Sequence, residues 1–77
     1  MEVGSRIRAY RKLAGLTQCE LAERALRDQA WVHRIESGKV APRVDDLDVL
    51  AAALGVSMAL LICGPMPPPA PERRRAA

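Results

Sequence analysis

The sequence predicts an all-α protein, a compact domain of five short helices. The chain has 77 residues, which is the length of one small domain. Aromatic residues make up 3% of it, whereas the hydrophobic share of 49% rests on alanine and aliphatic residues, a composition that favours helices over sheets. Four glycines also divide the chain at intervals of one or two short helices: Gly15, Gly38, Gly55 and Gly64. We therefore expect one helical domain over residues 1–64.

Charge is distributed unevenly along the chain. The net charge is +3, and residues 1–43 hold most of the basic side chains. Residues 44–64 contain Asp45, Asp46 and Asp48 and no basic residue. A polyanion should therefore approach the first part of the chain and avoid the second.

The same residues argue against several other classes of protein. Cys19 and Cys63 form neither a disulfide framework nor a metal-ligand pattern, and the single histidine has no catalytic partner in its surroundings. We expect no enzymatic activity, no cofactor and no metal. No apolar run is long enough to cross a membrane and no signal peptide opens the chain, so we expect a cytoplasmic, nucleoid-associated protein.

The first two helices are delimited by clear end signals. Apolar residues recur at helical spacing in the first: Val3, Ile7, Tyr10 and Ala14. This pattern predicts a helix over 3–14, with Gly15 as its left-handed C-terminal cap. Thr17 and Glu20 then form a capping-box pattern, which places the start of the second helix near Thr17.

The stretch LAERALRDQAWVHRIES, residues 21–37, contains neither glycine nor proline. If it were one helix, its apolar stripe would carry the carboxylate of Asp28 at its centre, which is costly for an unpaired charge. If the helix breaks near 25–27, Asp28 becomes the N-cap of a third helix and satisfies its free amides. We therefore predict two helices joined by a tight turn.

The remaining elements follow from the same signals. Asp45 is the expected N-cap of a fourth helix, after a polar loop that contains Pro42. The apolar face of that helix is Leu47, Leu50, Ala51 and Leu54. Ser57 should cap a last helix over 58–63. Residues 65–77 are proline-rich and then basic, and we expect them to be disordered.

Two helices joined by a tight turn are the helix-turn-helix arrangement, in which the second helix of the pair enters the major groove of DNA. LTQCELAER from Leu16, VHRIESGK from Val32 and LAAALGVS from Leu50 resemble the Xre/Cro family of lambda-repressor-like domains. The resemblance covers residues 3–63. It implies the lambda-repressor-like fold and sequence-specific binding of double-stranded DNA by a small transcriptional repressor, with residues 28–36 as recognition helix.

The resemblance also assigns roles to individual residues. The base-reading positions of the family correspond to Gln29, Ala30, His33 and Arg34. Arginine can pair with guanine, glutamine with adenine, and alanine can contact a thymine methyl group. The phosphate contacts correspond to Gln18, Lys39 and Arg43, with Arg6 and Arg8 as weaker candidates.

Structural roles carry over in the same way. Leu21, Ala22, Val32 and Ile35 match core positions of the family. Arg11 and Glu36 match an ion pair that some members form between the first and third helices. Such a pair orients two helices more than it stabilises them, because desolvation offsets much of the attraction.

The chain departs from the family in the turn, where the family usually has leucine, glycine and a valine-like residue. This chain has Ala25, Leu26 and Arg27. Because a positive φ is costly for leucine, we expect a different turn, with the second helix one residue longer. Trp31 could cover the space beside Ala25 and Leu26, or it could instead contact DNA.

The last helix departs from the family as well, because SMALLICG is apolar nearly all round. We expect some of its large side chains to form a homodimer interface: Met58, Leu60, Leu61 and Ile62. A two-fold dimer would bind a roughly palindromic operator. A heterologous protein is the second candidate partner, and the alternative function is a protein-binding module on the same fold, such as an antitoxin, an antirepressor or a coactivator-like bridge.

Overall fold

The computed structural model describes residues 3–63, and that part of the chain folds into five α-helices. They are α1 (Val3–Leu13), α2 (Gln18–Arg24), α3 (Gln29–Glu36), α4 (Val44–Leu54) and α5 (Met58–Ile62). The predicted all-α, five-helix class is confirmed. Among these helices, none is long and apolar enough to cross a membrane. The tail predicted for 65–77 lies outside the described residues.

Helices α2, α3 and α5 begin at the predicted caps. The hydroxyl of Thr17 accepts from the amide of Glu20 at 3.0 Å, and the Glu20 carboxylate accepts from the Thr17 amide at 2.9 Å. Asp28 accepts from the Trp31 amide at 2.9 Å, so an aspartate marks the break between α2 and α3. Ser57 accepts from the amide of Ala59 at 3.1 Å. The glycine-free stretch is therefore two helices.

The start of α4 differs from the prediction. The helix begins at Val44 with Arg43 as its N-cap, two residues before the expected cap Asp45. The carboxylate that serves this end is that of Asp46, which accepts from the Arg43 amide at 3.0 Å. An acidic residue in the first turn can reach back to the cap amide, so the cap position itself needs no acceptor side chain.

Helices α1, α3 and α4 end at glycines with left-handed backbones: Gly15 (φ 76°), Gly38 (φ 81°) and Gly55 (φ 72°). Helix α2 ends in the same way without a glycine, because Leu26 has a φ of 58°. The amide of Leu26 donates to the carbonyl of Glu23 at 3.1 Å, and that of Arg27 donates to the carbonyl of Ala22 at 2.8 Å. This is the Schellman pattern.

The expectation of a different turn with a longer α2 was therefore wrong. Helix α2 ends at Arg24, and Leu26 takes the left-handed conformation that glycines take after α1, α3 and α4. The two backbone bonds of the Schellman pattern and the cap at Asp28 hold the chain on both sides of Leu26. These contacts outweigh the conformational preference of one leucine.

The core lies between the helix-turn-helix pair and the other three helices. Its fully buried large side chains are Ile7, Leu21, Val32, Ile35, Leu50 and Leu61. Ala22 of α2 and its C-cap Ala25 are also buried. Leu61 has an exposed fraction of 0%, so it is a core residue, and its assignment to the dimer surface was wrong. A helix of five residues must bury at least one large side chain to pack on the domain.

Gly4 is a structural residue that sequence reasoning missed. A Cβ atom at this position would lie 2.9 Å from the carbonyl oxygen of Glu36 and closer still to that of Ile35. Glycine thus allows α1 to approach the C-terminal end of α3 directly. The contact therefore holds α1 against the last turn of α3.

Candidate nucleic-acid interface

Helix α3 presents one buried face and one exposed face. Val32 and Ile35 lie in the core, with exposed fractions of 1% each. The four residues predicted to read bases are all exposed: Gln29, Ala30, His33 and Arg34. Their spacing of one, three and one residues groups them on a single side of the helix. The structure therefore brings these four residues together on the solvent side of α3.

This surface offers complementary kinds of contact to a base edge. The side chain of Gln29 carries both a donor and an acceptor, Arg34 carries a planar set of donors, and Ala30 is apolar. His33 can donate or accept according to its protonation. These are the groups that distinguish base pairs in the major groove.

Arg11 and Glu36 form a buried ion pair between α1 and the end of α3. Their side chains have exposed fractions of 10% and 3%. The carboxylate accepts from Nε of Arg11 at 2.7 Å and from its Nη2 at 3.0 Å, which is a two-point contact. The remaining Nη1 donates to the carbonyl of Leu16 at 2.8 Å. The pair therefore joins α1, the loop before α2, and α3.

Gln18 is the first residue of α2 and is half-buried. Its Nε2 donates to Oε1 of Glu36 at 3.1 Å. The predicted phosphate residue is thus connected to the ion pair by a hydrogen bond. This connection was not visible in the sequence, since 18 positions separate the two residues.

The loop between α3 and α4 carries two further cations. Lys39 and Arg43 are both exposed, one just after the end of α3 and the other at the N-cap of α4. Arg8 on α1 is exposed too, whereas Arg6 has an exposed fraction of 8%. Burial removes Arg6 from the candidates for a phosphate contact.

Trp31 and Arg27 form a contact beside the turn. The guanidinium carbon of Arg27 lies 5.0 Å from the centre of the indole ring, within the range of a cation–π interaction. Its Nη2 lies 3.7 Å from Oδ1 of Asp46 on α4. Trp31 packs against the core but does not cover Leu26, which is 90% exposed. The prediction that Trp31 covers Leu26 was therefore wrong, because the left-handed turn leaves Leu26 in solvent. That Trp31 covers the space beside Ala25 stays a prediction. The four-residue spacing of Arg27 and Trp31 was the signal that sequence reasoning missed.

The apolar residues of α5 lie partly in the core and partly at the surface. Met58 and Leu60 are half-buried, and Ile62 is 46% exposed. The helix packs on α1 and α4, and its C-cap Cys63 is exposed. These three apolar residues remain as the candidate interface after Leu61 is assigned to the core.

A family model described as a helix-turn-helix domain matches residues 2–61. The chain belongs to this helix-turn-helix family. The match spans most of the chain and includes all five helices except the last residue of α5. The resemblance to Xre/Cro, lambda-repressor-like domains is confirmed.

One curated relative is the immunity repressor protein of Bacillus phage phi105. It is 37% identical over 62 residues, which are 80% of this chain and 43% of the relative. The chain thus spans less than half the length of that relative. The matched part corresponds in length to a single helix-turn-helix domain.

Two solved structures with the same fold contain DNA. The P22 c2 repressor in complex with a synthetic operator has a TM-score of 0.77 at 28% identity, over 84% of this chain and 98% of that chain. SinR, described as a master regulator for biofilm formation and solved in complex with DNA, has a TM-score of 0.75 at 34% identity, over 79% and 98% of the two chains. The fold of this chain is therefore that of DNA-binding repressor domains.

Proposed function

We propose that this protein binds double-stranded DNA in a sequence-specific manner and regulates transcription, as a repressor. The observation that carries the proposal is the exposed face of α3, where Gln29, Ala30, His33 and Arg34 lie together in the second helix of a helix-turn-helix pair. In this motif the second helix enters the major groove. The DNA-bound relatives support the same assignment.

The four residues have distinct roles in this proposal. Arg34 pairs with O6 and N7 of a guanine, and Gln29 with N6 and N7 of an adenine. Ala30 contacts a thymine methyl group, and His33 forms one further hydrogen bond to a base edge. Asp28 caps the helix and contributes to its placement only.

Gln18, Lys39 and Arg43 contact DNA phosphates in the proposal. Gln18 begins α2, Lys39 and Arg43 lie between α3 and α4, and each has at least part of its side chain in solvent. Phosphate contacts set the register of the protein on the duplex without reading sequence. Removing Lys39 or Arg43 should lower the slope of log affinity against log salt concentration by about one each.

We further propose that two copies associate through Met58, Leu60 and Ile62 of α5 and bind a roughly palindromic operator. Two-fold pairing places two recognition helices about 34 Å apart, one helical turn of DNA. The protein then acts at the nucleoid in the cytoplasm, by binding alone, with neither a cofactor nor a catalytic step.

A second candidate function is a protein-binding module on the same fold. It is favoured by two strongly exposed apolar residues to which the DNA-binding proposal gives no role, Leu26 at 90% and Val44 at 68%. A heterologous protein could dock there in an antitoxin, an antirepressor or a coactivator-like complex. The fold alone does not distinguish the two functions, so measurements of DNA binding are needed to distinguish them.

The test is an anisotropy titration of labelled DNA from the upstream region of the protein's own gene, against a base-scrambled duplex. We expect Arg34→Ala to weaken binding to the upstream DNA by roughly 5- to 150-fold, since one bidentate base contact supplies that much discrimination. Arg24→Ala is the matched control, because Arg24 is an exposed arginine at the end of α2. Equal, small effects of both changes would favour the second function.

A further inference from the structure

We propose that Glu36 is a positioning residue for the contact between Gln18 and the DNA backbone, and that Arg11 makes this role possible. The inference rests on the proposed function and adds that the DNA contact of Gln18 depends on Glu36. The observation that carries it is the hydrogen bond from Nε2 of Gln18 to Oε1 of Glu36 at 3.1 Å. The same oxygen accepts from Nη2 of Arg11 at 3.0 Å.

The carboxylate determines which way the Gln18 amide faces. An ionised carboxylate only accepts hydrogen bonds, so it selects the NH₂ group of the amide over its carbonyl oxygen. One of the two N–H groups is then used inside the domain. Because Gln18 is only half-buried, the second N–H remains available to a DNA phosphate oxygen, which is itself an acceptor. The opposite orientation would place the carbonyl oxygen of Gln18 against the Glu36 carboxylate, where two acceptors repel each other.

Arg11 holds both the side chain and the backbone in place. Its Nε and Nη2 hold the Glu36 carboxylate at 2.7 and 3.0 Å. Its Nη1 donates to the carbonyl of Leu16 at 2.8 Å, two residues before Gln18. One guanidinium therefore fixes the acceptor of the Gln18 amide and also the loop that leads into α2.

Arg11 also solves an electrostatic problem. A carboxylate next to a phosphate contact would normally repel DNA. Here the Glu36 side chain is only 3% exposed and is paired at two points with a cation. The carboxylate can therefore orient Gln18 while the pair as a whole adds no net charge to the interface.

A double-mutant cycle in DNA affinity tests the proposal, with all variants assayed at a temperature where melting curves show them folded. In the wild-type protein, Gln18→Ala should weaken binding to the upstream DNA about tenfold, the effect of one hydrogen bond to a charged group. In a Glu36→Gln background, the same change should weaken binding by about twofold or less, because the amide is no longer oriented. An equal effect in the two backgrounds overturns the proposal.

Two controls separate positioning from a general loss of stability. Leu50→Val is a core change on α4, remote in sequence from the network, and the tenfold effect of Gln18→Ala should persist in that background. Glu36→Asp keeps the charge but shortens the side chain, and it should reduce the effect of Gln18→Ala as Glu36→Gln does. If Leu50→Val reduces the effect as well, the positioning role is overturned.

Side-chain amide exchange by NMR gives a readout that needs no destabilised variant. In the free wild-type protein, one Nε2 proton of Gln18 should exchange more slowly than those of the exposed Gln29, and addition of DNA should shift the other. Equal exchange at both residues overturns the proposal. If the wild-type protein binds the upstream DNA more tightly than the scrambled duplex but the cycle shows no coupling, only the positioning role is overturned. If the wild-type protein binds both duplexes equally, the proposed function is overturned as well.

Discussion

Leu26 shows how far a single residue can depart from its own preference. A leucine in the left-handed region costs roughly 1–2 kcal/mol, and its side chain recovers nothing here because it is 90% exposed. The sequence shows that glycine is absent from this turn, but it does not show that Leu26 adopts a left-handed backbone. That outcome depends on the two backbone hydrogen bonds that close α2.

We predict that Leu26→Gly stabilises the protein by about 1 kcal/mol, because glycine adopts this φ without steric strain. Urea unfolding followed by circular dichroism measures the change. The matched control is Gly55→Ala, since Gly55 has a φ of 72° and open space around its Cβ position. Gly55→Ala should lower the free energy of unfolding by a similar amount, because only the backbone conformation is strained. A destabilised Leu26→Gly variant would show that the leucine side chain has a contact that its exposure does not reveal.

At the scale of elements, cap chemistry and helical spacing were sufficient to predict five helices and most of their ends. Thr17, Asp28 and Ser57 are caps because their side chains act within three residues, a range that sequence reasoning covers well. Contacts between helices were harder to predict. The contacts of Gly4 with the end of α3 and of Arg27 with Asp46 depend on how elements pack, which no local pattern encodes.

The ion pair that joins α1 to α3 gives a prediction on stability. Glu36→Ala should destabilise the protein by about 3 kcal/mol, because it leaves the buried guanidinium of Arg11 without its carboxylate. Thermal melting checks this, with Glu23→Ala, an exposed acidic residue of α2, as control. A shift in Tm of less than a couple of degrees for Glu36→Ala would contradict the role of the pair.

The contact between the turn and α3 gives another prediction. Trp31 is the only tryptophan of the chain, so its fluorescence reports this contact directly. We expect Arg27→Ala to expose the indole, shift its emission to the red and increase quenching by iodide, with a loss of stability below about 1 kcal/mol. Arg24→Ala should leave the emission unchanged. Identical spectra for Arg27→Ala and the wild-type protein would show that Arg27 does not shield the ring.

At the scale of the whole molecule, the predicted phosphate-binding cations and the exposed apolar residues of α5 lie in different segments of the described chain. The exposed cations Lys39 and Arg43 lie between α3 and α4, whereas the exposed apolar residues of α5 lie at the end of the described chain. The family resemblance predicted the first of these regions, and the apolar sequence of the last helix predicted the second. The sequence could not separate Leu61 from its neighbours, because a helix that is apolar all round does not indicate which side chain enters the core.

This division predicts a variant that separates folding from association. Ile62→Asp places a charge on an exposed position of α5, so the domain should keep its Tm within about 2 °C, a small shift for a surface change. Sedimentation velocity at tens of micromolar should change from dimer to monomer, and binding to a two-half-site duplex should weaken. A wild-type protein that is monomeric under these conditions would contradict the dimer.

Selection of binding sites from a random duplex library tests the central claim, that the exposed face of α3 reads DNA sequence. For the wild-type protein we expect one enriched motif with approximate two-fold symmetry and half-sites one helical turn apart. For Arg34→Ala, the same motif should lose its preference for one guanine in each half-site and keep the others. Libraries that show no enriched motif with the wild-type protein, or an unchanged motif with Arg34→Ala, would contradict the account.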